Sequence, residues 1–148
     1  MKNRKNNKGF SLVELIVVVA IMAVLVGVLA PAYLKYVENS KVSKDEANVD
    51  EYVRAVEVAL TDETVYGSLD LTNDITITVQ DKVDGNTTGT SSLDATSELG
   101  KAVKASLGEL DIDFTSKKYG GETLTIKIDK TTLNVSHQFP TPAQNPQG

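Results

Sequence analysis

The chain has 148 residues, a formal net charge of −5 and no cysteine. This length accommodates one small domain, and the lack of cysteine excludes disulfides and thiolate metal sites. The first nine residues hold four basic residues and no acidic one, which leaves 11 basic and 20 acidic residues, a net charge of −9, in the rest. So acidic a domain is a poor general binder of nucleic-acid phosphates, because that binding needs an excess of Lys and Arg. We therefore expect no nucleic acid among the partners.

The segment after the basic cluster is apolar on every side. Its 20 residues from Leu15 to Leu34, LIVVVAIMAVLVGVLAPAYL, include no charged side chain. As a helix that rises about 1.5 Å per residue, they would cover about 30 Å, the thickness of the hydrocarbon core of a bilayer. Basic residues beside a membrane span stay on the cytoplasmic side, so we expect the chain after Leu34 to face outward.

A single carboxylate, Glu14, stands at the entrance of this apolar run. A charge in or near hydrocarbon is costly, which marks Glu14 as a candidate functional residue. Ser11 and Glu14 also have the S-x-x-E spacing of a capping box, in which the glutamate accepts a hydrogen bond from a backbone N–H at the start of a helix. The two interpretations are compatible.

The residues GFSLVELIVVVAI, from Gly9 to Ile21, resemble the class III signal of type IV prepilins. The resemblance implies that a prepilin peptidase cuts after Gly9, that residues 1–9 are a leader, and that Phe10 becomes a methylated N-terminus. It also implies that Glu14 is the assembly glutamate, paired with the Phe10 amine of a neighbouring subunit. Two unit charges about 4 Å apart attract by roughly 4 kcal/mol at an effective dielectric constant of about 20, enough to fix an axial position.

Two residues predict a weak point in the apolar helix. Pro31 removes one helical hydrogen bond and clashes with the preceding turn, and Gly27 lies one turn before it. Pro31 also falls where type IV pilins commonly have a proline that kinks the helix. The resemblance therefore implies a kink, or local melting, at Gly27 and Pro31.

An ordinary secretory signal is the alternative explanation of the N-terminus. Ala30-Pro31-Ala32 offers an A-x-A cleavage site, and a cut there would discard the apolar segment. The apolar run is longer than the roughly 7–15 residues usual for such a signal, and a glutamate at its entrance is unusual there. These two features favour the class III signal.

Beyond the apolar run, the pattern becomes that of an amphipathic helix. Charged residues alternate with an apolar stripe that recurs at i, i+3, i+4 and i+7 and consists of Val49, Tyr52, Val53, Val56, Ala59 and Leu60. Neither proline nor glycine interrupts residues 32–62. We therefore predict one helix from about Ser11 to about Leu60. In it, residues 10–34 form the membrane-spanning or filament-core part and residues 35–62 the amphipathic continuation.

Residues 63–148 should form a globular head that covers this stripe. Residues 61–73 resemble a linker in which Gly67 can take a positive φ, and residues 140–148 a flexible tail. Alternation and turn residues predict four strands and a short helix, at 74–80, 111–117, 123–129 and 133–139 for the strands and 93–110 for the helix. The alternation on the first three strands predicts that these apolar side chains face inward: Ile75, Ile77 and Val79, then Ile112 and Phe114, then Leu124, Ile126 and Ile128. The glycine-containing segment 118–121 predicts a hairpin between the second and third strands. The predicted fold is α+β and pilin-like, a long N-terminal helix packed on a small antiparallel β-meander.

Residues suited to catalysis or metal binding are sparse. His137 is the only histidine, and no nucleotide-binding or nucleophile motif occurs. Asp81, Asp84 and Asn86 around Gly85 suggest oxygen ligands for calcium, but their spacing differs from that of an EF-hand and a turn is favoured. We therefore expect no metal, no cofactor and no enzymatic activity.

These features predict a structural subunit of a type IV pilus, polymerised through its N-terminal helix for adhesion, aggregation or twitching motility. The expected partners are identical subunits in a helical filament, a prepilin peptidase, the assembly platform with its ATPase, and the membrane before assembly. The subunit would cross the cytoplasmic (inner) membrane once and then join an extracellular filament. A pseudopilin of a type II secretion or competence system shares the same N-terminal motif and is the first alternative; a Sec-secreted or membrane-anchored binding domain is the second. Many Gram-negative pilins close a C-terminal loop with a disulfide, so the lack of cysteine fits pilins of Gram-positive bacteria.

Overall fold

One long helix leads the fold. The computed structural model describes residues 9–81 and 91–138, in which helix α1 spans Leu12–Ala59 and contains Pro31. The prediction of a single helix from about Ser11 to Leu60 is thereby confirmed. The chain divides into two compact units, Met1–Val37 and Glu38–Gly148, so that α1 begins in the first and ends in the second.

The part of α1 in the second unit supplies one side of the hydrophobic core. The six residues of the predicted stripe are all buried, and Val49 and Val56 are completely enclosed. Burial of apolar side chains stabilises by about 25 cal/mol for each Å² removed from water, so this stripe fixes the helix in the head.

A three-stranded antiparallel sheet supplies the other side of the core. Its strands are β1 (Ile75–Gln80), β2 (Thr123–Ile128) and β3 (Val135–Gln138), in the order β1-β2-β3. The register pairs Ile77 with Ile126 and Val79 with Leu124. Since side chains alternate along a strand, these four lie on one face, where all of them are buried. The strands predicted at 74–80, 123–129 and 133–139 are confirmed over their described residues.

The head also contains two short helices, which contact each other. Helix α2 (Glu63–Ser68) lies inside the segment predicted as a linker. The Asp62 side chain caps the start of this helix by accepting a hydrogen bond from the Thr64 N–H. Gly67 belongs to α2 and has no positive φ, so that expectation was wrong. The Val65 side chain anchors α2 in the core.

Helix α3 (Glu98–Leu107) is shorter than the predicted 93–110. The Ser97 hydroxyl caps its start, accepting from the Gly100 N–H at 3.0 Å, and Gly108 ends it with a φ of +85°. Before the cap, the Asp94 carboxylate accepts a hydrogen bond from the Thr96 N–H and holds a separate turn. A Cβ on Gly100 would lie 1.9 Å from the Asp94 carbonyl oxygen, so only glycine fits this approach of turn and helix.

The strand predicted at 111–117 is wrong. Ile112 and Phe114 are buried as their alternation indicated, but only Ile112 makes a β-bridge, a parallel one to Asp81. The hairpin predicted at 118–121 is therefore also wrong. The chain passes from β1 through α3 to β2, and only β2 and β3 are joined by a short turn.

Some predictions fall outside the described residues. They concern most of the leader (1–8), the loop with Asp84, Gly85 and Asn86, and the tail (140–148).

Candidate functional site

The start of α1 has the capping-box geometry that its sequence predicts. The Ser11 N–H donates to Glu14 Oε2 at 2.8 Å, and the Val13 N–H donates to Ser11 Oγ at 3.3 Å. Two N–H groups that have no partner inside the helix are thus satisfied, and the carboxylate lies at the positive end of the helix dipole. Gly9 and Phe10 immediately precede this turn, and the Phe10 side chain is 90% exposed.

The apolar part of α1 lies open over its whole length. From Leu12 to Leu34 every residue is exposed, and the large apolar side chains keep between 48% and 73% of their surface. Among the described residues, α1 is the one helix long and apolar enough to cross a membrane, and none of its most apolar stretch is buried in the protein. Soluble monomers rarely expose contiguous apolar patches above a few hundred Å². This surface therefore needs lipid or other protein chains around it.

The two residues predicted to weaken this helix lie within α1. Pro31 is inside the helix, and a Cβ placed on Gly27 would meet open space. Gly27 is therefore not required by close packing within this chain. The kink at these residues stays a prediction.

A second polar arrangement lies in the head, and we call it the carboxylate clamp: Asp45 and Asp81 together with the backbone of residues 114–121. The carboxylate of Asp45, on α1, accepts hydrogen bonds from the Thr115 N–H at 2.9 Å and the Ser116 N–H at 2.8 Å. The carboxylate of Asp81, just after β1, accepts from the Phe114 N–H at 2.8 Å and the Gly121 N–H at 2.6 Å. The backbone between α3 and β2 is therefore held by two carboxylates instead of a neighbouring strand.

Both clamp carboxylates are buried, and Asp45 has no exposed surface at all. Burial by itself raises the pKa of Asp45, but hydrogen bonds from the backbone and hydroxyls of Thr115 and Ser116 outweigh burial and hold the pKa below its ordinary value. Buried charge of this kind is tolerated only where donors replace the lost water.

Two glutamates of α1 extend the contact at the edge of the clamp. Glu38 Oε1 accepts from the Lys117 N–H at 2.5 Å, and Glu46 Oε1 accepts from the Tyr119 hydroxyl at 2.9 Å. The Lys118 ammonium lies 3.3 Å from Glu46 and 4.5 Å from the centre of the Tyr119 ring. The exposed ion pair between Lys118 and Glu46 contributes little stability next to the buried carboxylates.

The clamp is not predicted by the sequence pattern, because Asp45 is one of many charged residues in the second half of α1. A signal was present: the apolar stripe, continued backwards by four residues from Val49, reaches position 45. A carboxylate in line with a core stripe indicates a buried acceptor with dedicated donors.

Asp81 is the one described residue of the loop in which calcium ligands were weighed against a turn, and its carboxylate has another role in the structure. Both oxygens of Asp81 accept backbone hydrogen bonds. Across residues 9–81 and 91–138, no group of three or more His, Asp or Glu side chains is placed to hold a metal ion.

Comparison with known proteins points to the N-terminal segment. Residues 4–30 match the family described as the prokaryotic N-terminal methylation motif. The chain is 35% identical over 69 residues to prepilin peptidase-dependent protein A of Clostridium perfringens (strain 13 / Type A), which covers 46% of this chain and 49% of the relative. It is 38% identical over 55 residues to the type IV major fimbrial protein FimA of Dichelobacter nodosus, which covers 37% of this chain and 35% of the relative.

These matches cover half or less of each relative, and no solved structure matches the chain significantly. The matched motif includes the junction at Gly9, the capped Glu14 and most of the exposed apolar helix. The fold is the long helix with a small antiparallel sheet that the resemblance implies. By this motif and these relatives, the N-terminal part of the chain is similar to that of type IV pilin-like proteins.

Proposed function

We propose that this protein is a structural subunit of a type IV pilus, cut after Gly9 by a prepilin peptidase and polymerised through the apolar part of α1. The observation that carries the proposal is the apolar surface from Leu12 to Leu34, which is exposed throughout, whereas the second unit has a complete core of its own. Relatives named as a prepilin peptidase-dependent protein and as major fimbrial proteins support processing and a filament. Because two of these relatives are named as fimbrial proteins, we favour a pilus over a pseudopilus.

Before assembly, the apolar part of α1 would cross the cytoplasmic membrane. The capping box gives Glu14 a backbone donor at 2.8 Å, which lowers the cost of a carboxylate beside hydrocarbon. Cleavage after Gly9 would release a positive, methylated amine on Phe10, in the turn that holds Glu14.

Assembly would then transfer the helix from lipid to a core of identical helices. Lipid tails are about as apolar as Leu, so this transfer gains little from the hydrophobic effect and relies on packing and polar pairing. A charge pair between Glu14 of one subunit and the Phe10 amine of the next, about 4 Å apart, would supply roughly 4 kcal/mol of attraction at an effective dielectric constant of about 20. Local loosening at Gly27 and Pro31 would let neighbouring helices adjust, and the acidic heads would form the outer surface. The assembly platform and its ATPase would supply the work of extraction.

The first test is the mass of the N-terminus in protein sheared from intact cells. A methylated Phe10 as first residue is the expected result, because the apolar helix must stay in the filament. A start near Tyr33, after Ala32, would mean that a secretory signal had been removed, and the pilus would be ruled out. Electron microscopy of the same fraction separates long surface filaments from the envelope-confined assembly of a pseudopilin.

The second test separates the two roles of Glu14. Glu14→Gln removes the charge but keeps the acceptor of the capping box, whereas Glu14→Ala removes both. If the charge pair positions subunits, both variants lose filaments, while the matched control Glu57→Gln, on an exposed turn of the same helix, assembles normally. Normal filaments from Glu14→Gln would refute the charge pair and leave only the capping role.

A further inference from the structure

Aromatic residues lie near the two ends of the apolar run and not in its middle. Phe10 precedes it, Tyr33 and Tyr36 stand at its outer end, and residues 11–32 contain no aromatic side chain. Tyr33 is 66% exposed and Tyr36 70% exposed, so neither is used in the packing of this chain. Lys35 lies between them and is the first charged residue after Glu14.

The spacing matches the thickness of a bilayer. Tyr33 lies 19 positions after Glu14 on the helix, a rise of about 28 Å at about 1.5 Å per residue, and the hydrocarbon core is about 30 Å thick. When Glu14 lies at the inner boundary of the hydrocarbon, Tyr33 and Tyr36 lie at the outer one.

The direction of the side chains strengthens this match. Side chains on an α-helix lean towards its N-terminus, so the rings of Tyr33 and Tyr36 point back towards the membrane from backbone positions at its edge. Residues three apart are neighbours on one side of a helix, which places the two rings together. Tyrosine is enriched at membrane interfaces, because its ring is apolar and its hydroxyl needs water or a headgroup. The Lys35 ammonium can reach a lipid phosphate at the same depth.

We propose that Tyr33, Lys35 and Tyr36 form an interfacial anchor that binds the phospholipid headgroup region on the outer face of the cytoplasmic membrane. The anchor holds the unassembled subunit at one depth and so keeps Glu14 at the opposite boundary, where cleavage and assembly take place. The inference rests on the proposed function, because it requires that the apolar part of α1 spans the membrane.

Cysteine accessibility measures this depth directly, because the chain has no cysteine of its own. Single cysteines replace Ala32, Leu34, Val37 and Ser40 in the full chain, reconstituted in vesicles of phosphatidylethanolamine and phosphatidylglycerol. A membrane-impermeant maleimide is added on the side of the head, and the rate of labelling is measured at each position. No peptidase or assembly machinery is present, so the result does not depend on filament formation.

The anchor predicts a sharp boundary, with slow labelling at Leu34 and fast labelling at Val37. In the double variant Tyr33→Ala/Tyr36→Ala the boundary should be lost, with similar rates at both positions. The conservative pair Tyr33→Trp/Tyr36→Trp should keep it, and so should Tyr66→Ala, the matched control at a half-exposed tyrosine in the head.

Two other results would overturn the anchor, in distinguishable ways. A boundary that is unchanged by the alanine pair, with fewer filaments in cells, would mean that the tyrosines contact a second copy of the chain instead of lipid. Fast labelling at every position, Ala32 included, would mean that the helix does not span the bilayer, and the proposed function would fail with the anchor.

Discussion

Asp45 offers the sharpest test of how the head is held together. Its carboxylate has no exposed surface, and the N–H groups of Thr115 and Ser116 and the Thr115 hydroxyl donate to it. In Asp45→Asn the side chain keeps its size but turns one acceptor oxygen into an NH₂ group. At least one backbone N–H of the clamp then faces another donor and has no acceptor.

The expected cost follows from the hydrogen bonds. A hydrogen bond to a charged group contributes about 1.5–3 kcal/mol, and a buried N–H without a partner costs a similar amount. We therefore expect Asp45→Asn to lower the free energy of unfolding of the head by about 2–4 kcal/mol, from a total that is typically about 5–15 kcal/mol. The loss is large because water cannot reach the clamp to replace the missing acceptor.

Urea unfolding of the full chain in detergent measures this change. Near-UV circular dichroism follows the buried rings of Tyr52 and Tyr119, which lose their fixed surroundings when the head unfolds. Asp50→Asn is the matched control, because Asp50 is exposed on the same helix. Surface substitutions usually change stability by less than about 0.5 kcal/mol. A value for Asp45→Asn within that range would refute the clamp as a stabilising contact.

Three further predictions use the same assay. The pKa of Asp45 in the folded head is depressed below 3.8. The ionised carboxylate therefore stabilises the head above the unfolded pKa, and this stabilisation is lost as the pH falls through the folded pKa. The urea midpoint should drop below about pH 4 and drop less in Asp45→Asn. Gly100→Ala should destabilise by about 1–3 kcal/mol, since its Cβ would meet a backbone oxygen at 1.9 Å. Gly67→Ala, in helix α2 with open space around it, should instead stabilise by about 0.5–1 kcal/mol, and equal effects of the two changes would contradict the geometry. Tyr52→Phe removes the hydroxyl that donates to the Leu110 carbonyl at 3.2 Å and should cost about 0.5–1.5 kcal/mol; an unchanged midpoint would show that this bond contributes nothing net.

Most of the head's core could be predicted from the sequence, because periodicity reports which side of an element is buried. The stripe from Val49 to Leu60 and the alternation in β1 and β2 identified the core side chains correctly. Helix α2 was missed because six residues carry too little pattern, and a single capping residue, Asp62, decides its start.

The segment 111–117 shows what side-chain periodicity does not predict. Its alternation placed Ile112 and Phe114 inward correctly, yet the strand was wrong, because side-chain periodicity does not say where the backbone N–H groups find acceptors. Here the acceptors are Asp45 and Asp81, which are distant in sequence and of a residue type that usually faces solvent. The start of α1 was predictable because its capping box is local: Ser11 and Glu14 are three residues apart.

The long sequence separation in the clamp sets an order of events during synthesis. Asp45 and Ser116 are 71 positions apart, and Glu38 and Lys117 are 79 apart. At roughly 5–20 residues per second, several seconds pass between the synthesis of α1 and that of the segment it must hold. During that interval the apolar stripe of α1 has no partner, and closing so large a loop slows the final step. A nascent subunit thus emerges with its helix complete and its core uncovered, which makes protection against premature association a requirement of its biogenesis.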